Sequence, residues 1–228
     1  MERKQHWENQ YNRRELHEVS WFQSRPDTSL ALIEEFLPDK GAALIDVGGG
    51  GSTLVDGLLA AGYRSVTILD WAAAGLAQAQ SRLGEAASRV TWLQADVLGA
   101  SLQAAHYALW HDRAVFHFLV APAERSAYVQ RLRAALHPSG HAIIATFAPE
   151  GPERCSGLPV RRYTPEELAA ELGEPFHLVT WREEQHRTPA GVTQPFQFSV
   201  FEHRGSSAGS RREATHRASG REGEAHGP

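Results

Sequence analysis

Three aspartates that close three apolar runs carry the first chemical signal in this chain. Asp46 follows Ala43-Leu44-Ile45 and stands two residues before four successive glycines, Gly48 to Gly51. Asp70 ends Val66-Thr-Ile-Leu, and Asp96 ends Val90-Thr-Trp-Leu-Gln-Ala. After the glycines, Leu54, Val55, Leu58 and Leu59 recur at helical spacing. Strand, glycine turn and helix form the opening of a nucleotide-binding α/β unit. Glycine serves there because a Cβ would keep the backbone from closing on a ligand. The dinucleotide pattern G-x-G-x-x-G begun at Gly48 demands glycine at position 53, where Thr53 stands. A carboxylate at Asp46 would repel a pyrophosphate and attract an ammonium or a sulfonium. Asp70, at a strand's carboxyl end, is placed to accept hydrogen bonds from two ribose hydroxyls, and Trp71 to lie against adenine. A nucleoside carrying cations and no phosphate fits this set better than a dinucleotide, so the loop favours S-adenosyl-L-methionine over NAD.

The segment D-V-G-G-G-G-S over 46–52 resembles the D-x-G-x-G-x-[GS] loop of class I, seven-strand, Rossmann-like S-adenosylmethionine-dependent methyltransferases. The resemblance implies that Asp46, Gly48, Gly49, Gly50 and Ser52 hold the cofactor beside Asp70 and Trp71. It also implies that Asp96 meets the adenine amino group and the backbone N–H of Val97 a ring nitrogen. A second segment, His111-Asp-Arg-Ala-Val-Phe-His117, resembles the D-K-G-T-x-D motif of a group of seven-strand lysine methyltransferases. Asp112 matches its first acid, Arg113 its lysine, and Ala114 and Val115 its glycine and threonine; His117 replaces its second acid. The early Trp7-x-x-x-Tyr11 and the pair Trp21-Phe22 are similar to that group as well.

Methyl transfer is an in-line displacement on an activated carbon, so the enzyme must align and desolvate the acceptor and needs a base only where the acceptor arrives protonated. A neutral imidazole deprotonates a thiol, phenol or amine near pH 7. Asp112, His117 and His111 are therefore the expected catalytic residues. Arg162, Tyr163, His186 and Gln197 are expected on the acceptor side by position. No metal is expected.

These residues need an α/β sheet to bring them together. Residues 1–26, polar yet bearing Trp7, Tyr11, Trp21 and Phe22, read as an aromatic flap over the ligand cleft. A helix capped by Asp27 or Thr28 presents Leu30, Ile33, Phe36 and Leu37 on one face and ends at Pro38 and Gly41. Strands follow at 43–46, 66–70, 90–97, from Tyr107, and at 141–147, with helices over 72–83 and 122–136 between them. Thr164-Pro-Glu-Glu167 is a capping box opening a helix to about Leu172. Two antiparallel strands, 176–181 and 196–201, close the domain. The fold expected is α/β, a Rossmann-like, doubly wound seven-stranded sheet with an antiparallel C-terminal pair, spanning 27–203. From Arg204 the composition turns to Gly, Ser, Arg, Glu and Ala, so 204–228 is expected to be a disordered tail.

A formal charge of −4 argues against nucleic acid as a partner. The charged start leads into no apolar run, so no secretory signal is expected; no segment reaches the roughly 20 apolar residues of a membrane span, and the single Cys155 excludes an internal disulfide. The expectation is a cytoplasmic methyltransferase acting on a small molecule, with a protein lysine as alternative acceptor. The readings from other classes are a non-catalytic S-adenosylmethionine-binding module and an NAD(P) oxidoreductase.

Overall fold

The computed structural model describes residues 2–205. The expected tail over 204–228 lies outside them, save for Arg204 and Gly205. Six helices, α1 (Glu2–Arg13), α2 (Asp27–Phe36), α3 (Leu54–Ala60), α4 (Ala73–Leu83), α5 (Pro122–Ala135) and α6 (Pro165–Leu172), alternate with strands. The strands are β1 (Leu44–Val47), β2 (Val66–Asp70), β3 (Val90–Gln94), β4 (Tyr107–Arg113), β5 (Leu136–Phe147), the short β6 (Arg154–Cys155) and β7 (Leu158–Pro159), β8 (Phe176–Arg187) and β9 (Thr193–His203). Seven of them form one sheet in the order β3-β2-β1-β4-β5-β9-β8, in which β9 alone runs against the rest. This is a Rossmann-like sheet, and β6 and β7 add a separate small hairpin.

All four residues of β1 and all five of β2 are buried, because a parallel sheet is covered on both faces. On one face Leu44, Ile68 and Leu109 pack against Leu30 and Ile33 of α2 and Leu54 and Leu58 of α3. On the other, Ile45, Val47 and Trp110 pack against Tyr128 and Leu132 of α5 and Leu168 of α6. The chain leaves β1 towards β2 and returns on its other side at β4, so the sheet switches direction between β1 and β4. Ligands of open α/β sheets lie in the crevice at the carboxyl ends of such strands.

Five elements depart from the sequence expectation. The flap contains a helix, α1, where only polar sequence with aromatics was legible. Strand β5 starts at Leu136, five residues early, because Leu136 pairs with Tyr107 across a bulge before the main register resumes at His141. Strands β8 and β9 extend by mutual pairing to Arg187 and Thr193. Asp96 lies two residues past the end of β3 and not at its last position. The box at Thr164 forms as expected: its hydroxyl accepts from the Glu167 N–H at 3.1 Å, and the Glu167 carboxylate accepts from the Thr164 N–H at 2.9 Å. Among the described residues, no helix is long and apolar enough to cross a membrane.

Candidate functional site

Two joined chambers lie over the carboxyl ends of β1, β2 and β4. The first, open at its mouth, is bounded by Gly48, Asp70, Trp71, Asp96 and Val97. The second is bounded by Asp46, Gly49, Ser52 and His111. Tyr11, Trp21, Val47, Gly48 and Arg113 border both.

The glycine loop is fitted to its neighbours so closely that no side chain has room. Gly48 adopts φ +72°, and a Cβ there would stand 2.1 Å from Cγ2 of Val115. A Cβ on Gly49 would stand 2.5 Å from Oδ2 of Asp46, and one on Gly50 2.5 Å from Oδ2 of Asp70 and 2.7 Å from the Tyr11 hydroxyl. Gly50 itself lies beneath Tyr11 and does not line either chamber. The Ser52 hydroxyl accepts from the Leu54 N–H at 3.1 Å and so starts α3. Arg82 of α4 ties the loop down from outside, donating to the carbonyls of Gly51 at 3.1 Å and Ser52 at 2.6 Å while paired with Asp56 at 2.8 Å. Sequence reasoning passed over Arg82, since nothing local marks a helix arginine as a loop clamp.

Asp70 accepts from the Ala72 N–H at 2.7 Å through Oδ1. Burial pushes its carboxyl up to about 7, the Ala72 N–H opposing and the nearby Asp46 adding to the rise. Asp96 accepts from the Leu98 N–H at 3.0 Å, which fixes the turn after β3. Asp46 receives a hydrogen bond from Nδ1 of His111, 2.7 Å away, and Nε2 of His111 is 3.0 Å from the Ser29 hydroxyl.

The segment after β4 is arranged differently from its expected role. Asp112 is fully buried and borders neither chamber. Its oxygens accept from the Val115 N–H at 2.8 Å, the Phe116 N–H at 3.1 Å and the Tyr128 hydroxyl at 2.6 Å. Burial pushes its carboxyl up to about 6, against those hydrogen bonds, that from Tyr128 foremost. His117 is also fully buried, borders neither chamber and packs against Phe118, Phe147 and Phe196; neither ring nitrogen has a partner. Burial, with the charge of Arg113 second, pulls it down to about 3, so it is neutral at ordinary pH. A base must reach its proton, and this ring faces phenylalanines: the expectation of a base at His117 is corrected on that ground. Only His111 of the three expected catalytic residues lines a chamber.

Arg113 contacts the Trp21 carbonyl at 3.3 Å and Glu184 at 3.5 Å, lies 4.3 Å over the Phe196 ring, and leaves its Nε buried without a partner. Cys155 borders the first chamber as a thiol that burial pushes up to about 11. Of the acceptor-side expectations, Arg162, Tyr163 and Gln197 border neither main chamber, and His186 is bound to the Ser20 carbonyl at 2.7 Å. Among the described residues, no group of three or more His, Cys, Asp or Glu is arranged to hold a metal ion.

The N-terminal segment forms the roof. Trp7 of α1 meets Trp21 and Phe118 edge-on at centroid distances of 5.6 and 5.1 Å. Glu8 accepts from the N–H groups of Ala73 and Ala74 at 2.8 and 3.1 Å, so its carboxylate seals the positive end of α4. Arg3 pairs with Glu124 of α5.

Residues 44–140 match the family model described as a methyltransferase domain. No curated protein matches the sequence. Among solved structures, one described by the conversion of a disulfide bond into a thioacetal group during echinomycin biosynthesis superposes with TM-score 0.73 at 17% identity, over 90% of this chain and 94% of that one. The 1,6-didemethyltoxoflavin-N1-methyltransferase of Burkholderia thailandensis, solved with its substrate and S-adenosylhomocysteine, gives 0.63 at 24%, over 78% and 77%. The N-methyltransferase NodS of Bradyrhizobium japonicum with S-adenosylhomocysteine gives 0.65 at 16%, over 86% and 97%. These likenesses are of fold. With the domain match over 44–140 and the glycine-looped sheet, they give this chain the Rossmann-like fold of class I methyltransferases. The chain is an S-adenosyl-L-methionine-dependent enzyme. The residues fit that cofactor: the loop leaves backbone where side chains would stand, and two carboxylates lie directly beneath it.

Proposed function

We propose that this enzyme methylates a small molecule held in the first chamber, beyond Val115 and under Trp7 and Trp21. In this reading Asp46 faces the ammonium of the cofactor, Asp70 its ribose hydroxyls, and Asp96 with the Val97 N–H its adenine. Gly48, Gly49 and Ser52 give the amino-acid end its backbone cradle, Gly50 supports the turn beneath Tyr11, and Trp71 flanks the adenine. The observation that carries the small-molecule reading is the roof: the chamber is covered by α1 and lined by aromatic side chains, which suits a compact acceptor with an apolar body.

The wall opposite the glycine loop holds Arg113, Phe118 and the protonated Cys155. No side chain there is free to take a proton, since Asp112 is saturated with donors and His117 is sealed in the core. The acceptor is therefore a group that arrives nucleophilic without help, a weakly basic neutral amine or a thiol acidic enough to arrive as its thiolate, ahead of an alcohol. The enzyme contributes alignment and exclusion of water. Arg113 is an incompletely paired cation at the junction of the chambers and favours an acceptor bearing negative charge. Asp112 and His117 act in this reading as structural supports of the loop. The lysine alternative loses ground with Asp112, whose matching acid would have to face the acceptor.

The test is transfer of label from radiolabelled S-adenosylmethionine to a panel of thiols, amines and phenols, with and without carboxylates, beside a protein extract. Label in an anionic thiol or amine is expected. Label in protein alone would overturn the reading.

A further inference from the structure

We infer that Ser29, His111 and Asp46 form a relay that aims one carboxylate oxygen at the amino-acid end of the cofactor. The inference rests on the reading above that Asp46 faces the cofactor's ammonium. Ser29 lies on α2, His111 on β4 and Asp46 on β1, and their exposures are 1%, 2% and 3%. All three border the second chamber. Asp46 and His111 are register partners on neighbouring parallel strands, so the sheet fixes their separation.

The direction of each bond follows from what each atom can do. A carboxylate only accepts, so the proton between Asp46 Oδ1 and His111, 2.7 Å apart, belongs to Nδ1. In the neutral ring Nε2 then accepts, and the Ser29 hydroxyl 3.0 Å away donates. Both ring nitrogens are thus engaged, which leaves His111 no free position for proton abstraction. It is a positioning residue. Oδ1 of Asp46 is tethered, and Oδ2 is the oxygen beneath Gly49, where a Cβ would come within 2.5 Å of it.

The same order of bonds activates serine in hydrolases. Here the acid and not the serine stands at the glycine loop. The relay therefore runs the other way, with Ser29 as anchor and Asp46 as working end. Without His111, Asp46 loses its charge-assisted hydrogen bond and is free to rotate away from the loop.

The experiment compares calorimetric binding of S-adenosylhomocysteine with that of 5′-methylthioadenosine, which lacks the amino-acid end. His111→Leu should weaken S-adenosylhomocysteine about tenfold or more and leave 5′-methylthioadenosine within about twofold. His111→Asn, whose amide can donate in place of Nδ1, should recover most of the loss, and Ser29→Ala should show a smaller loss of the same selectivity. Equal weakening of both ligands by His111→Leu and Ser29→Ala would reduce the cluster to a folding element and overturn the inference. Asp46→Asn separates the two levels. If it leaves S-adenosylhomocysteine binding intact, the site reading itself fails. If it weakens that ligand selectively while Ser29→Ala and His111→Leu do not, only the relay fails. Should His111→Leu not fold, Ser29→Ala and His111→Asn carry the test. Loss of S-adenosylhomocysteine selectivity in Ser29→Ala, with near-normal binding by His111→Asn, is then the expected result, and its absence the contrary one.

Discussion

Replacing Asp70 with asparagine should stabilise the free enzyme at alkaline pH while damaging cofactor binding. The Asp70 carboxyl is raised from 3.8 to about 7 by burial. Between pH 4 and 7 the folded chain holds a proton that the unfolded chain has released, so stability falls as pH rises, and the loss is complete above pH 7. At about 1.4 kcal/mol per pKa unit, the ionised carboxylate costs the free protein about 4 kcal/mol at pH 8. Asparagine carries no charge and still accepts the Ala72 N–H, but its amide meets the Gly50 N–H where a carboxylate oxygen stood, at a cost of about 1–3 kcal/mol. The net gain is about 1–3 kcal/mol at pH 8, a rise in Tm of about 2–10 °C at this chain length. At pH 5.5, within the range over which the loss accrues, the gain should be smaller by about 2 kcal/mol and lie within about 1 kcal/mol of zero. Thermal melts of the cofactor-free proteins at the two pH values read this difference directly. Calorimetry supplies the other half. Wild-type affinity for S-adenosylhomocysteine should fall as pH drops below 7, because ribose hydroxyls favour the ionised acceptor. Asp70→Asn should bind more weakly, by about 1–3 kcal/mol, with that pH dependence gone. A variant whose stability relative to wild type is the same at both pH values would refute the electrostatic argument. Unchanged cofactor affinity would refute the site.

Asp112→Asn would point an amide at three donors, so it should cost about 1–3 kcal/mol per donor left unpaired and lower Tm by several degrees, with S-adenosylhomocysteine affinity little changed; calorimetry and melting check both. His117 is pulled down to about 3, so the folded chain resists a proton the unfolded chain takes up near 6.5, and stability present above that pH is lost as pH falls. His117→Leu should therefore move acid unfolding to lower pH and retain turnover with an unaltered pH–rate profile above pH 6. Loss of turnover with a shifted profile would restore the base. Glu8→Ala removes the carboxylate that fastens the roof to α4, so S-adenosylhomocysteine should dissociate several-fold faster in stopped-flow tryptophan fluorescence. An unchanged rate would mean that the roof does not gate the chamber.

How legible each element was depended on where its determinants lie. Strand β2 and the Thr164 box were readable to the residue, because a buried parallel strand and a reciprocal cap are each written in four or five consecutive positions. Helix α1 was not, because its apolar residues, Trp7 and Tyr11, form too narrow a stripe among charges; tertiary contacts with Trp21, Phe118 and Ala73 hold it. The aspartates 46, 70 and 96 could be gathered at one crevice because each lies at, or within two residues of, the carboxyl end of its strand. The fates of Asp112 and His117 could not be read, because their surroundings arrive from Tyr128, Phe147 and Phe196, far along the chain. A polar residue in a motif has the same letter whether it faces a ligand or a wall of phenylalanine.

The Val115 methyl occupies the space that any side chain at position 48 would need. The loop after β1 and the loop after β4 are thus interlocked like a tenon in its mortise. Val115 also borders the first chamber, so the contact that spaces the two loops is part of that chamber's wall. Alteration of one half of the joint is inherited by the other: a bulkier residue at 48 requires a smaller one at 115, and a smaller one at 115 lets the glycine turn sink towards the vacated space. Retargeting this enzyme by substitution at 115 would therefore alter its grip on the methyl donor as well, and libraries that vary 115 should vary the residues flanking the turn together with it.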